Sequence, residues 1–207
     1  MFTGIIEAVG RIRSVTPQSE GNDAGVRLDV DAGALPMGNV QVGDSIAING
    51  ACMTVVEKTG QGFKVDVSRE SLNRTSGLDR PGEVNLEKAL ALGDSLGGHL
   101  VSGHVDGIGT VVRFAPVAES HELVVEASHE LGKFLAYKGS VAVNGVSLTV
   151  NSVEDVPTGC RFSINLIPHT VEVTALKHLS AGAKVNLEID LIARYVERMM
   201  TAGVQAS

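Results

Sequence analysis

Tryptophan is absent from this 207-residue chain, and aromatic residues make up only 3% of it. A broad aromatic stacking surface is therefore not expected, and the core must be built from Val, Ile, Leu and Ala. Two cysteines, Cys52 and Cys160, are too few for a disulfide framework and have no metal-ligand spacing. Positive charge is also scarce: 17 Lys and Arg against 24 Asp and Glu leave a formal charge of −7, and the basic residues are scattered. A nucleic-acid partner needs clustered cations, so none is expected. There is no apolar run long enough to cross a membrane. Met1-Phe2-Thr3-Gly4 reaches Glu7 without the basic n-region of a secretion signal, so the expected location is the cytoplasm. The six histidines are dispersed without helical carboxylate partners, and no metal site is expected. Gly93-Asp94-Ser95-Leu96-Gly97-Gly98 lacks the lysine and the strand-to-helix setting of a phosphate loop.

Glycine is plentiful, at 24 residues, and so is repetition. Asp44 to Val55 aligns without a gap on Gly139 to Val150, with Ser, Ala, Asn-Gly and Thr-Val at matching places. Phe2 to Glu7 matches Val101 to Asp106, Ser71 to Thr75 matches Thr170 to Thr174, and Val84 to Glu87 matches Val185 to Glu188. Four blocks in one order identify a duplication. Each copy alternates apolar and polar residues over short runs, as in Val26 to Val30, Phe63 to Val67 and Phe162 to Leu166. Asn49-Gly50 and Asn144-Gly145 between apolar runs are hairpin signals. Short strands at regular spacing predict a small closed barrel per copy, because closure removes exposed edges. Helical turns are expected near Glu70–Thr75 and Ser128–Tyr137. After Asp190, a potential cap, Leu191, Ile192, Tyr195, Val196, Met199, Met200 and Val204 follow helical spacing. That amphipathic helix either packs on its own barrel or associates with other copies.

The copies disagree at chemically important positions. Cys52 faces Ser147, Ile5 faces His104, Gly43 faces Lys138, Glu70 faces His169 and Ala89 faces Asp190. Two like folds suggest two like ligands, and unlike polar groups suggest that the ligands are treated differently. Ordinary roles are available for each residue: a buried thiol, a turn histidine, a surface lysine, strand hydroxyls and a helix cap.

Five motifs carry a resemblance. Met1-Phe2-Thr3-Gly4-Ile5, Asn49-Gly50-Ala51-Cys52-Met53-Thr54-Val55, Gly97-Gly98-His99-Leu100-Val101-Ser102-Gly103-His104-Val105, Asn144-Gly145-Val146-Ser147-Leu148-Thr149-Val150 and Leu166-Ile167-Pro168-His169-Thr170 closely resemble the riboflavin synthase family, α-chain type. The resemblance spans Met1 to about Met200. It implies an all-β fold of two tandem six-stranded Greek-key barrels, residues 1–97 and 98–189, with a carboxyl-terminal trimerisation helix over 190–207. It implies a transferase that dismutates two molecules of 6,7-dimethyl-8-ribityllumazine. A four-carbon unit passes between them, giving riboflavin and 5-amino-6-(ribitylamino)pyrimidine-2,4-dione. No cofactor is implied. A homotrimer is implied, with each site between the first barrel of one subunit and the second barrel of its neighbour. Association with lumazine synthase is a further partner to consider.

Carried over position by position, the first pocket holds Gly4, Ile5, Ile6, Cys52, Met53, Thr54 and the run Asp66, Val67, Ser68, Arg69, Glu70, Ser71. The second holds Gly103, His104, Val105, Lys138, Ser147, Leu148, Thr149 and the run Leu166, Ile167, Pro168, His169, Thr170, Val171. The methyl group on carbon 7 of one lumazine is acidic, because the ring delocalises the resulting anion. The other lumazine becomes an electrophile when hydroxide or a side chain adds at its carbon 7. His104 is the expected proton-transfer group and Ser147 orients or activates the ring, while Cys52 and Asp190 serve the partner molecule. The rival reading is a non-catalytic lumazine- or flavin-binding protein on the same fold, as in the lumazine proteins of luminescent bacteria.

Overall fold

Residues 1–21 and 24–204 are described by the computed structural model, with side chains through Ala202. Asn22 and Asp23 of the 18–25 loop, the side chain of Val204 and the last three residues of the 190–207 segment lie outside the described residues. The alternating runs form strands β1 (Ala8–Pro17), β2 (Val26–Asp31), β3 (Ser45–Ile48), β4 (Ala51–Lys58), β5 (Gly62–Val67) and β6 (Gly82–Lys88). All their pairings are antiparallel, and they close into a barrel in the order β1-β2-β5-β4-β3-β6. The second copy supplies β7 (Gly107–Val117), β8 (Ser120–Ala127), β9 (Ser140–Val143), β10 (Val146–Val156), β11 (Gly159–Leu166) and β12 (Lys184–Ile189). These close in the same order, β7-β8-β11-β10-β9-β12. Register shifts recur at matching points, Ile12/Ser14 with Val111/Arg113 and Val55/Glu57 with Val150/Ser152. Such bulges bend the strands and let a six-stranded sheet close.

Every second residue of each strand points inward. Leu28, Val30, Ile46, Ile48, Phe63, Val65 and Leu86 fill the first barrel, and Leu123, Val125, Val143, Phe162, Ile164 and Leu187 fill the second. Both hairpins expected at Asn-Gly are present. Asn49 and Gly50 have φ of 46° and 83°, and Asn144 and Gly145 have 47° and 80°, the two left-handed residues that a tight strand-matching turn demands.

Helices α1 (Arg69–Arg74), α2 (His129–Gly132), α3 (Pro168–Val173) and α4 (Leu191–Val204) complete the fold, with a 3-10 turn at Ala175–His178. Helix α2 stops well short of Tyr137. A Cβ at Gly132 would lie 2.7 Å from the Cys160 Cβ, so its end is pressed against β11. Helix α3 was not named from the sequence, although Thr170–Thr174 aligns with the Ser71–Thr75 segment of α1; β-branched Thr170, Val171 and Val173 disfavour a helix there. Pro168 in its first turn and the packing of Val171 on the second barrel override that preference.

The barrels meet about a pseudo-twofold axis. Phe2 and Val101 form an antiparallel bridge, and with Ala47 and Ala142 they make a small apolar cluster. The two Asn-Gly turns touch back to back: a Cβ on Gly50 would lie 2.7 Å from the Gly145 backbone nitrogen. Asn85 Nδ2 donates to the Asn144 carbonyl at 2.9 Å, and Asn186 Nδ2 donates to the Asn49 carbonyl at 3.0 Å. Each asparagine oxygen also accepts a backbone N–H, from Ala175 for Asn85 and from Ser76 for Asn186, both at 2.7 Å.

Candidate functional site

The chain start of each copy crosses to the other barrel. The backbone N–H of Ser147 donates to the Gly4 carbonyl, and that of Cys52 donates to the Gly103 carbonyl, both at 2.8 Å. Ile6 packs against the core of the second barrel and Val105 against the core of the first. The pockets drawn from the sequence are therefore corrected: Gly4-Ile5-Ile6 belongs beside Ser147, and Gly103-His104-Val105 belongs beside Cys52. The cause is steric as well as topological. Gly4 and Gly103 have φ of 74° and 81°. A Cβ on Gly4 or Gly103 would come within 2.6 Å of the Cβ of Ser147 or Cys52. Only glycine accepts that backbone and that approach.

One half-site thus joins Cys52 and Thr54 of β4 to the His104 segment. The other joins Ser147 and Thr149 of β10 to the Gly4–Ile6 segment. Thr54 and Thr149 point outward and are exposed, as are Ile5 and His104, while Cys52 and Ser147 are half-buried. A cleft of about 800 Å³ lies over the outer side of the first barrel, between Ser45, Glu87, Ala89 and the linker at Ser95 and Gly97, with Ile5 on its wall.

Four expected pocket residues point the other way. Met53 and Val67 lie in the core of the first barrel, and Leu148 and Leu166 in that of the second. Strand alternation sends their side chains inward while their neighbours face out. Asp66 is occupied by Arg27, which grips both of its oxygens at 2.7 and 2.9 Å and holds its carboxyl below the usual range. Ser68 caps α1 by accepting from the Ser71 N–H, and Arg69 donates to the Ala24 carbonyl. Glu70 pairs with Arg74 one turn on. In the second copy Ile167 and His169 are exposed at the start of α3, Pro168 occupies its first turn, and the Thr170 carbonyl accepts from Thr174 Oγ1. Lys138 has φ of 64°, where its counterpart Gly43 has 99°, and its Nζ donates to Asn151 Oδ1. Asp190 caps α4 by accepting from the Ile192 N–H at 2.9 Å.

Three groups were missed. Glu87 accepts from Thr3 N, Thr3 Oγ1 and Gly4 N, and Glu188 accepts from Ser102 N, Ser102 Oγ and Gly103 N. These carboxylates fasten the two crossing segments. Ser102 Oγ in turn accepts from the His104 N–H, so Glu188 orders the histidine-bearing strip. The signal was an identical polar pattern, Val-Asn-Leu-Glu, in a strand that is buried on both faces in each copy. The third group is His99, whose Nδ1 lies 2.7 Å from Ser147 Oγ.

Burial pushes the Glu87 and Glu188 carboxyls up, against the pull of their hydrogen bonds. A carboxyl raised in the folded chain contributes stability that is full below its unfolded pKa, roughly 4.3, and is lost as pH rises through its folded value. Glu188→Gln cannot titrate, so the decline in stability above roughly pH 4.3 is expected to flatten. Its amide NH2 also faces a backbone N–H, at a cost of about 1–3 kcal/mol. Urea unfolding across pH checks both effects; an unchanged pH slope refutes the assignment.

Among the described residues there is no group of three or more His, Cys, Asp or Glu arranged to hold a metal ion, and no helix long and apolar enough to cross a membrane.

Comparison with known proteins adds an independent view. The Lumazine binding domain profile matches twice, over residues 3–89 and 102–190. The riboflavin synthase of Photobacterium phosphoreum is 44% identical over 202 residues, covering 97% of this chain and 89% of its own. That of Mycobacterium tuberculosis (strain H37Rv) is 43% identical over 206 residues, covering 98% and 100%. That of Bacillus subtilis (strain 168) is 39% identical over 203 residues, covering 97% and 90%. Among solved structures, LumP complexed with riboflavin superposes with a TM-score of 0.79 at 25% identity, covering 91% of this chain and 99% of that one. LumP complexed with 6,7-dimethyl-8-(1'-D-ribityl) lumazine gives 0.77 at 24%, with the same coverage.

Proposed function

Because the chain belongs to the riboflavin synthase family of lumazine-binding proteins, we propose how its two half-sites divide the family's reaction. The activity is riboflavin synthesis, a transferase reaction. Two molecules of 6,7-dimethyl-8-ribityllumazine exchange a four-carbon unit to give riboflavin and 5-amino-6-(ribitylamino)pyrimidine-2,4-dione. The non-catalytic alternative is not favoured: riboflavin synthases match at 38–44% identity over nearly the whole chain, against 24–25% for LumP.

One observation carries the division of labour, namely two half-sites of the same build with different chemistry. The first presents the Cys52 thiol and the His104 segment. The second presents the Ser147 hydroxyl, with His99 bonded to it and Asp190 close enough for its charge to act on that imidazole. Each half-site takes one lumazine. In the lumazine of the second half-site the carbon 7 methyl gives up a proton, and His104 reaches across the face-to-face pair from the first half-site to take it. In the lumazine of the first half-site a nucleophile adds at carbon 7, supplied by Cys52 or by a water that Asp190 activates from across the pair. Holding two flat rings face to face removes much of the entropic barrier.

A complete site forms when the first barrel of one subunit meets the second barrel of another. That arrangement brings Cys52, His104, Ser147 and Asp190 together although the chain itself separates His104 from Ser147. Helix α4 supports the assembly. Ile192, Tyr195, Val196, Met199 and Met200 are exposed on it, an apolar stripe that a homotrimer covers. The same helix is tied to its own barrel by Arg194 to Asp106 at 2.7 Å and by Lys133 to Glu197.

Lys138 offers a separate test. Its left-handed backbone costs about 1–2 kcal/mol relative to glycine, offset in part by chain entropy. Lys138→Gly is expected to leave stability unchanged or raise it by up to about 1 kcal/mol. If the ammonium serves the second lumazine, turnover falls about tenfold; unchanged turnover removes Lys138 from the site. The function itself is tested by incubating the purified protein with the lumazine alone. Riboflavin absorbance should appear at one product for every two substrates consumed. Binding without product refutes the enzyme reading.

A further inference from the structure

We propose that Arg194 of helix α4 is a positioning residue for His104: through Asp106 it anchors the far end of the histidine-bearing strip, and so couples the helix assigned to assembly to the first half-site. The inference rests on the functional reading above and extends it to a residue outside both half-sites.

The strip from Ser102 to Asp106 crosses to lie beside Cys52 of the first barrel, and the second barrel fastens it at both ends. Glu188 holds the near end by accepting from Ser102 and Gly103. Asp106 holds the far end, one residue before β7 begins. Its N–H donates to the Leu187 carbonyl at 2.8 Å, and its Oδ2 accepts from the Ile189 N–H at 2.9 Å. Its Oδ1 accepts from the Arg194 guanidinium at 2.7 Å. His104 lies exposed between the two carboxylates, with only a long 3.3 Å bond from its N–H to Ser102 Oγ. Among the described residues no hydrogen bond holds its imidazole. The placement of His104 is therefore set by the two anchors.

The guanidinium completes the far anchor. The Asp106 side chain is 12% exposed, and a carboxylate so far withdrawn from water needs a donor for each oxygen. One oxygen is held by β12, and the other has Arg194. The first copy fastens its strip without a helix. There the counterpart Glu7 donates its N–H to the Leu86 carbonyl at 3.0 Å and accepts from the Lys88 N–H at 2.7 Å. Its cation is Lys88 of β6 itself, 3.6 Å away. The link from helix to strip thus belongs only to the copy that carries His104. Arg194 is itself well placed to transmit position. Its N–H donates to the Asp190 carbonyl at 3.2 Å in the first turn of α4, and Glu197 ties the next turn to Lys133. Misplacing a reacting group by about 1 Å costs about 100-fold in rate, so a slackened strip should cost about tenfold.

Amide hydrogen exchange and kinetics on the full-length protein test this together. In the unliganded protein, Arg194→Ala should speed exchange over residues 103–106 about tenfold and leave residues 3–6 at the wild-type rate. It should lower kcat about tenfold. Sedimentation should match wild type, because Ile192, Tyr195 and Met199 keep the apolar stripe intact. Arg194→Lys, whose ammonium can reach the same carboxylate oxygen, should restore both exchange and kcat. In a His104→Gln background Arg194→Ala should cost nothing more, whereas a loss from disassembly or general instability would persist. Wild-type kcat, unchanged exchange over 103–106, a Lys variant as impaired as the Ala one, an altered oligomeric state, or additive losses overturn the proposal. A wild-type protein that makes no riboflavin refutes the functional reading instead, and the exchange measurement still decides whether Arg194 holds the strip.

Discussion

Replacing His104 with glutamine is expected to lower riboflavin formation by about 10²-fold or more, the range lost when a positioned acid–base group is removed. The fold should hardly notice. His104 is exposed, its side chain makes no hydrogen bond among the described residues, and its backbone N–H bond to Ser102 Oγ survives the change. Because the crossing segments put residue 104 beside Cys52, any change in ligand affinity should appear at the first half-site and leave the Ser147 half-site alone. Fluorescence titration with riboflavin, together with initial rates, separates these effects. A folded variant that turns over at the wild-type rate removes His104 from the chemistry. A variant that loses affinity only beside Ser147 contradicts the crossing of the segments.

That crossing also marks where the sequence stopped being informative. The duplication, the alternation and the Asn-Gly turns are local patterns, and each reappears as expected in β3–β4 and β9–β10. Nothing local says that Gly4 will bond Ser147, 143 positions away, rather than a neighbour in its own copy; motif order instead suggests the reverse grouping. Strand alternation turns Met53, Val67, Leu148 and Leu166 inward, whereas motifs read as unbroken blocks place them among the pocket residues. Helix α3 was hidden because its β-branched residues prefer strands, and only packing reverses that. His99 lay in plain view within a motif, yet its partner Ser147 is 48 residues on, and only the folded chain shows the hydrogen bond.

Asn186 carries the largest expected effect on stability. It is 1% exposed, donates to the carbonyls of Asn49 and Ser76, and accepts from the Ser76 N–H. Asn186→Leu keeps a comparable shape but strands those backbone groups at the junction of the barrels. Each buried polar group left without a partner costs about 1–3 kcal/mol, so a loss of about 3–5 kcal/mol is expected. Asn85→Leu breaks the mirror contact to Asn144 and Ala175 and should cost a similar amount. The double variant distinguishes two views of the molecule. If the barrels are held as one cooperative unit by this junction, losing both contacts uncouples them, and urea unfolding separates into two transitions, one per hydrophobic core. If each barrel is stable chiefly through its own interior, the transition stays single and the two losses add. The first outcome is expected. The crossing segments that bear Gly4 and His104 lie across the same junction, so turnover should fall before either barrel unfolds.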